Sequence, residues 1–265
     1  MLIQNKYEII GKIGSGSYSN VYKAKNIYKP DSFCAIKFEI EDDKISKALL
    51  HNEISNYLCL MKNKCQNIVN VKSFGIFNKT NYIIMSLLDI ELGDYVTKLK
   101  ENMTSKDVMK LFIKTYKLIQ NMHYSGLVHR DIKPDNFLVK EKTGEIFIVD
   151  MGISTKIENI KESTKVIGTP LYCSYNTHLD KYTYTKHDDI ISLFFVFFKL
   201  FGGKLPWENI CVKSEKVKNY IMFYLKQNSN FSMYYDEELL RELITTYEYY
   251  LYNKEMPENI TRCYI

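Results

Sequence analysis

Alternation of apolar and polar side chains predicts a β-rich N-terminal part of the chain. Strands are predicted at residues 7–13, 20–25, 32–40, 69–77 and 82–88. A helix interrupts them at about residues 45–61, where apolar side chains recur three and four positions apart. The pattern therefore predicts a sheet with a single helix before residue 89.

Beyond that point the pattern becomes helical. Thr104 and Asp107 form a capping box, and apolar residues at helical spacing continue from there to a stop at Gly126. Short strands are predicted at residues 137–139 and 146–149, and helices dominate after about Lys186. We therefore expect one α+β domain, with a small β-rich lobe at about residues 1–88, a larger helical lobe at about residues 89–265 and a cleft between them.

The composition is that of an ordinary globular protein. Charged residues make up 25% of the 265 residues and hydrophobic ones 46%, which excludes a disordered, collagen-like or coiled-coil chain. The 36 Lys and Arg against 31 Asp and Glu leave a net charge of +5. This surplus is small and the 22 tyrosines are scattered, so no nucleic-acid partner is expected. A mildly basic surface does suit a protein that handles phosphates or acidic substrates.

Neither the cysteines nor the apolar segments indicate secretion or membrane insertion. The cysteines show no C-x-x-C pair, so we expect reduced thiols at Cys34, Cys59, Cys65, Cys173, Cys211 and Cys263. Residues 1–10 lack the long apolar stretch of a signal peptide. The most apolar run, residues 190–198, is too short to span a bilayer and predicts a buried helix. An intracellular protein, cytoplasmic or nuclear, is therefore expected.

The segment Gly14-Ser15-Gly16 lies between two predicted strands, which makes it the expected turn of a β-hairpin. Two glycines allow a backbone to approach a phosphate because no Cβ intervenes. A plain tight turn explains the same residues equally well. A dinucleotide-binding loop does not fit, because that motif runs from a strand into a helix and residues 20–25 alternate like a strand.

A lysine and a glutamate are expected to pair in the N-terminal part. Glu53 lies on the apolar stripe of the predicted helix, three residues after Leu50 and four before Tyr57. A carboxylate on a buried face needs a cation, and Lys37, in the apolar strand at residues 32–40, is the candidate. Such a pair can hold an ammonium group against phosphate oxygens. The alternative is that Lys37 simply faces solvent.

The strongest chemical signal is the segment H-R-D-I-K-P-D-N at residues 129–136. In a loop of this kind Asp131 would orient a hydroxyl, and Lys133 would offset charge on a transferred group. Asp150 ends an apolar strand before a glycine turn, a position suited to holding a metal, with Asn136 as a second oxygen ligand. The alternative interpretation is a charged surface loop without a function.

The order of these motifs resembles that of the eukaryotic protein kinases, and the resemblance spans almost the whole chain. Lys133 within H-R-D-x-K-P-x-N is similar to the serine/threonine branch. The resemblance implies the two-lobed protein kinase fold, with ATP and Mg²⁺ as cofactors. It implies that Asp131 is the catalytic base, with Lys133 beside the transferred group. It also implies that Asn136 and Asp150 bind Mg²⁺.

The same resemblance assigns the residues that would bind ATP. The glycine loop would cover the phosphates, and Lys37, paired with Glu53, would hold the α- and β-phosphates. Met85 resembles the gatekeeper and Leu88 a part of the hinge. The implied set consists of Ile13, Gly14, Ser15, Gly16, Val21, Ala35, Lys37, Glu53, Met85, Leu88 and Leu138.

Several segments are similar to casein kinase I enzymes. Residues 174–179, S-Y-N-T-H-L, resemble their S-I-N-T-H-L stretch, and residues 135–138 match their D-N-F-L. Residues 186–189 resemble their basic-basic-D-D segment. The resemblance implies a kinase for acidic or previously phosphorylated protein substrates, recognised through Lys186 and His187. We expect it to act as a monomer.

Two supporting roles follow from the resemblance. Asp189 would anchor the catalytic loop from a helix, and Thr169 would hydrogen-bond the loop at residues 131–133. Two departures are Ser19 in place of the third loop glycine and Met151 in place of the Phe of D-F-G. They motivate an alternative, a pseudokinase scaffold that binds nucleotide or partners without turnover. A small-molecule phosphotransferase is a weaker third hypothesis.

Overall fold

The computed structural model describes residues 1–40, 43–229, 231–234 and 238–263. These residues form two compact units. The first contains Met1–Ile90 and Leu138–Ser154, and the second contains Glu91–Phe137 and the described residues from Thr155 onward. Strands make up most of the regular structure of the first unit and helices most of that of the second, as the sequence predicted.

The strands and helices of the described residues are numbered in chain order. The strands are β1 (Leu2–Ile3), β2 (Tyr7–Ser15), β3 (Ser19–Asn26), β4 (Lys29–Glu39), β5 (Val71–Phe77), β6 (Thr80–Ser86), β7 (Ile90–Glu91), β8 (Leu127–Val128), β9 (Phe137–Lys140), β10 (Glu145–Ile148), β11 (Thr155–Lys156), β12 (Glu162–Ser163) and β13 (Tyr182–Thr183). The α-helices are α1 (Lys44–Lys62), α2 (Leu92–Leu99), α3 (Ser105–Tyr124), α4 (Lys186–Gly202), α5 (Glu215–Asn228), α6 (Arg241–Asn253) and α7 (Glu258–Cys263).

Six strands of the first unit form one antiparallel sheet in the order β1-β2-β3-β4-β6-β5. One hydrophobic cluster of this sheet consists of Ile3, Tyr7, Ala24, Cys34, Ile36, Phe38, Tyr82 and Ile84. Helix α1 packs against β4 and β6 and buries Leu50, Tyr57 and Leu60. Because β4 is a central strand, its Lys37 is held between Val21 of β3 and Ile83 of β6.

The glycine hairpin turns later than predicted. Gly14 and Ser15 belong to β2, where they pair with Val21 and Asn20 of β3, so the turn follows them and Gly16 begins it. The Ser15 hydroxyl donates to the Asn20 side-chain oxygen at 3.0 Å. The Gly16 N–H donates to the Ser19 carbonyl at 2.9 Å. These two bonds extend the ladder beyond the end predicted from hydrophobic alternation.

The segment Leu138–Ser154 lies in the first unit, although the sequence placed everything after about residue 88 in the helical part. Backbone hydrogen bonds explain this position. The Ile148 N–H donates to the Asn67 carbonyl at 3.2 Å, and Ile148 also forms a parallel bridge with Ile68. The Asp89 N–H donates to the Val139 carbonyl at 3.2 Å. Such long-range backbone pairing leaves no periodic signal in the sequence.

The second unit is built around α4, whose middle is buried on all sides. Phe194 packs against Phe112 of α3 at 4.6 Å between ring centroids and against Tyr247 of α6 at 5.0 Å. This confirms the buried helix predicted at residues 190–198. The capping box of Thr104 and Asp107 at the start of α3 is also confirmed. Helix α2 was missed, because only two of its side chains are buried and the apolar pattern is too short.

The cysteines and the helix lengths of the described residues agree with the expectations from the sequence. Reduced thiols are found at Cys34, Cys59, Cys65, Cys173 and Cys211, as expected, whereas the side chain of Cys263 lies outside the described residues. No helix in the described part of the chain combines the length and the apolar character that a bilayer span requires.

Candidate active site

Lys37 of β4 lies between two carboxylates in the first unit. Its Nζ is 2.6 Å from Glu53 Oε2 and 3.1 Å from Asp150 Oδ1. The side chains of Lys37 and Glu53 are 12% and 3% exposed, whereas that of Asp150 is 44% exposed. The predicted Lys37–Glu53 pair is therefore confirmed, and the structure adds Asp150 to it.

The electrostatics of this cluster keep the lysine charged. Burial alone would lower the pKa of Lys37, but the charges of Glu53 and Asp150 together raise it above its ordinary value. Burial raises the pKa of Glu53 to about 7, against the opposing effect of Lys37. The cluster is therefore a fixed ammonium group beside one buried and one half-exposed carboxylate.

Tyr57 of α1 holds the backbone at Asp150. Asp150 has a φ of 64°, in the left-handed region, and its N–H donates to the Tyr57 hydroxyl at 3.1 Å. Burial raises the pKa of Tyr57 well above its ordinary value, so the hydroxyl stays neutral. Sequence reasoning missed this role, because Tyr57 was assigned only to the apolar stripe. Its position four residues after Glu53 was the available signal.

Two asparagines of α1 fix the segment after Asp150. The Asn52 side-chain amide donates to the carbonyls of Gly152 and Ser154 at 2.8 and 2.9 Å. The Asn56 amide donates to the carbonyls of Met151 and Ser154 at 3.0 and 2.9 Å. Met151 is fully buried, as expected for an apolar residue replacing Phe. Sequence reasoning missed both asparagines.

All the residues predicted to bind ATP lie in the first unit. Ala35 of β4 faces Met85 of β6 in register, and both are buried. Gly14 faces Val21, and a Cβ added to Gly14 would meet the Val21 side chain only at an ordinary 3.6 Å. The remaining predicted residues of this set in the first unit are Ile13, Ser15, Gly16, Leu88 and Leu138.

Asp131 is the centre of a hydrogen-bonded cluster in the second unit. Lys133 Nζ is 3.0 Å from Asp131 Oδ2. The Asn136 amide donates to the Asp131 backbone carbonyl at 2.7 Å and to Asp131 Oδ2 at 3.3 Å. Asn136 is buried, and Lys133 is partly buried. The structure thus brings together the three polar residues predicted from the 129–136 segment.

Thr169 holds the other oxygen of the same carboxylate. Its hydroxyl and its N–H donate to Asp131 Oδ1 at 2.7 and 2.9 Å, which confirms the predicted contact. The preceding Gly168 has a φ of 87°, and a Cβ there would lie 2.4 Å from the Arg130 carbonyl oxygen. Glycine is therefore required for Thr169 to reach Asp131.

Asp189 of α4 anchors the loop that carries Asp131, as predicted. It accepts the N–H groups of His129 and Arg130 at 2.8 and 2.9 Å. The Tyr184 hydroxyl and His123 Nε2 each lie 2.8 Å from its oxygens. Burial alone would raise the pKa of Asp189, but His123 above all, together with His129 and the Arg130 N–H, lowers it below its ordinary value.

His129 braces this loop from inside. Its side chain is fully buried, and its Nδ1 accepts the N–H of Asp131 at 3.2 Å. His129 therefore supports the backbone of the loop at Asp131. His123 and Tyr184, which also contact Asp189, were not assigned to the site from the sequence.

Lys186 and His187, the two basic residues expected to recognise substrate, differ in their exposure and contacts. Lys186 is exposed at the start of α4. His187 Nδ1 instead lies 2.8 Å from the Tyr250 hydroxyl, and burial lowers the pKa of His187 below its ordinary value. His187 is therefore less readily protonated than an exposed histidine.

Comparison with known proteins agrees with this arrangement. A family model described as protein kinase domain matches residues 7–256. The chain belongs to the protein kinase family. This kinase domain is 30% identical over 225 residues, 81% of the chain, to a probable serine/threonine-protein kinase of Dictyostelium discoideum. The chain spans 44% of the length of that relative.

The kinase domain has the two-lobed protein kinase fold class that the sequence predicted. Its N-terminal region is built on the six-stranded sheet and its C-terminal region on α-helices. The nucleotide residues predicted from the motifs belong to the first unit, Leu138 through the segment Leu138–Ser154. Asp131, Lys133 and Asn136 belong to the second unit.

Proposed function

We propose that this kinase domain transfers the γ-phosphoryl group of ATP to serine or threonine hydroxyls of protein substrates. The observation that carries the proposal is the hydrogen-bonded environment of Asp131. One carboxylate oxygen is held by Thr169, and the other lies beside Lys133 and Asn136. A carboxylate fixed in this way is suited to orient an acceptor hydroxyl.

The acceptor side then works as follows. The Asp131 carboxylate accepts a hydrogen bond from the acceptor hydroxyl and takes its proton as the new oxygen–phosphorus bond forms. The bond between the γ-phosphorus and the bridging oxygen breaks, and ADP leaves. Lys133, 3.0 Å from Asp131, offsets the negative charge on the transferred group.

The nucleotide side depends on Lys37. Glu53 and Asp150 hold the ammonium group charged and in one position, as binding to phosphate oxygens requires. Ala35, Met85 and Leu138 would contact the adenine through their apolar side chains.

The residues present fit Mg²⁺. Asp150 offers a carboxylate and Asn136 an amide oxygen, and Mg²⁺ takes hard oxygen donors together with phosphate oxygens. In the described part of the chain, no three His, Cys, Asp or Glu side chains form a metal cluster by themselves. Asp150 and Asn136 are the residues that would hold Mg²⁺, and the bound ion would supply positive charge that offsets the phosphates.

We further propose a casein kinase I-like subtype that acts as a monomer and prefers acidic substrates. The S-Y-N-T-H-L and D-N-F-L segments support the subtype, and the net charge of +5 with exposed Lys186 supports the preference. Because burial lowers the pKa of His187 and its ring contacts Tyr250, the proposed preference depends on Lys186.

The test uses matched peptides with γ-labelled ATP and Mg²⁺. Three acidic peptides carry a single Ser, Thr or Tyr, and a fourth carries Ser among basic residues. We expect label on the acidic Ser and Thr peptides, little on Tyr and less on the basic peptide. Lys186→Ala should narrow the difference between acidic and basic peptides, whereas Lys216→Ala, at an exposed position of α5, should not.

The same experiment separates the kinase from the pseudokinase scaffold. Binding of ATP is followed in parallel by the shift of the thermal unfolding temperature, with and without Mg²⁺. Mg²⁺-dependent binding without label on any peptide would replace the kinase proposal with the scaffold.

A further inference from the structure

Lys226 of α5 is a fully buried lysine without an acidic partner. Its relative exposure is 0%, and in the described part of the chain no carboxylate lies within ion-pair distance of its ammonium group. A buried charge is costly unless other groups replace its hydration. The groups that replace the hydration of the Lys226 ammonium group therefore indicate the role of this residue.

The ammonium group binds one loop of the second unit. Lys226 Nζ donates to the carbonyls of Pro170 and Cys173 at 2.7 and 2.5 Å. It also lies 3.1 Å from His178 Nε2. Burial lowers the pKa of His178 to about 3, so this imidazole is neutral and accepts the hydrogen bond.

Aromatic rings complete the surroundings of the charge. Lys226 Nζ lies 5.4 Å from the Trp207 ring centroid and 5.7 Å from that of Phe195. Both distances are within the range of cation–π attraction. The Trp207 indole N–H also donates to the Leu171 carbonyl at 2.8 Å, within the same loop. Three carbonyls of residues 170–173 are thus held by Lys226 and Trp207.

This loop directly follows the residue that holds the candidate base. Thr169 donates to Asp131 Oδ1 through both its hydroxyl and its N–H. The Cys173 N–H donates back to the Thr169 carbonyl at 2.9 Å, which closes a short turn. Movement of the 170–173 carbonyls would therefore displace Thr169 and with it the Asp131 carboxylate.

We propose that Lys226 is a positioning residue for phosphoryl transfer, whose ammonium group fixes the 169–173 loop so that Thr169 keeps Asp131 aligned with the acceptor hydroxyl. The alignment of Asp131 with an acceptor hydroxyl rests on the proposed function. The fixing of the loop by Lys226 does not depend on it.

The test compares Lys226→Met, which fills similar space without donors, with Lys226→Arg, which keeps charge and donors. The matched control is Lys216→Met, an exposed lysine of the same helix. We expect the Met variant to lose about 10–100-fold in kcat on a Ser peptide, the effect of misplacing a reacting group by about 1 Å. Its KM for ATP should stay unchanged, and the Arg variant should recover most of the loss.

Amide hydrogen exchange supplies a readout that needs no activity. Exchange at residues 169–178 should be faster in the Met variant than in the parent, and unchanged in the Lys216 control. If the Met variant does not fold, Lys226→Gln is measured in its place. Its side chain is a neutral donor, and we expect the same increase in the exchange rate at residues 169–178. Unchanged exchange and unchanged transfer would overturn the proposal. If the parent transfers no phosphoryl group but exchange in the Met variant is faster as expected, the proposed function is contradicted. The fixing of the loop by Lys226 is then still supported.

Discussion

Single residues of α1 determine the conformation at Asp150, and Tyr57 does so most directly. Its hydroxyl accepts the Asp150 N–H at 3.1 Å, and its ring is fully buried. Tyr57→Phe leaves that N–H without its acceptor, so we expect a loss of about 1–3 kcal/mol in the free energy of unfolding. Urea denaturation measures it. Tyr249→Phe, at a half-exposed ring, is the control, and equal stability of Tyr57→Phe and the parent would contradict the role.

Glu53 should give the protein a distinctive pH dependence. Burial raises its pKa to about 7, above its ordinary value, so its protonation stabilises the folded state. This contribution is fully present below the unfolded pKa and is lost as the pH rises through about 7. Without nucleotide, the unfolding free energy of the parent minus that of Glu53→Gln should therefore increase as the pH falls.

Denaturant unfolding at several pH values between about 5 and 8 measures this difference. Glu8→Gln, an exposed position in the same unit, should give a curve parallel to that of the parent. Parallel curves for the parent and Glu53→Gln would refute the assigned pKa shift.

Residue patterns allowed part of this site to be predicted. The Lys37–Glu53 pair was predictable, because a carboxylate on an apolar helix face requires a cation. The roles of Asn52, Asn56 and Tyr57 were not. A polar residue at the edge of a helical stripe usually faces solvent, and the carbonyls that these asparagines bind lie about a hundred residues away in the sequence.

At the scale of elements, the first turn of α4 anchors the loop that carries Asp131 through Asp189. Its buried carboxylate accepts four hydrogen bonds, two of them from the backbone of His129 and Arg130. Asp189→Asn keeps the shape of the side chain but replaces one accepting oxygen with an NH₂ group, which cannot accept a hydrogen bond from these donors. We expect a loss of about 3–5 kcal/mol in the free energy of unfolding.

Thermal or urea unfolding tests this expectation. The matched control is Asp180→Asn, at an exposed position before α4, which should change stability by less than about 0.5 kcal/mol. Similar stability of the two variants would show that the carboxylate of Asp189 does not anchor the loop.

Elements with a long apolar pattern were predicted well, and short ones were not. Helix α3 was located by its capping box and its stripe, and α4 by its run of apolar residues. Helix α2 and the two-residue strands β1, β7, β8, β11, β12 and β13 have too few residues for either pattern. The turn after Ser15 was displaced because hydrogen bonds of Ser15 and Gly16 extend the ladder.

At the scale of the whole molecule, the two units contribute different halves of the proposed chemistry. The first holds Lys37, Glu53 and Asp150, and the second holds Asp131 and Asn136. The motif order predicted the kinase fold, because each motif is recognisable by itself. The inclusion of Leu138–Ser154 in the first unit could not be predicted, since it depends on backbone bonds to Asn67 and Asp89.

The measurement that tests the central claim most directly is the rate of phosphoryl transfer from ATP to casein by the parent and by Asp131→Asn. Asp135→Asn, an exposed carboxylate four residues further along, is the matched control. We predict transfer by the parent and the control, and a loss of about 10²–10⁴-fold for Asp131→Asn with ATP binding unchanged. Equal rates for the parent and Asp131→Asn would contradict the assignment of Asp131 as the base.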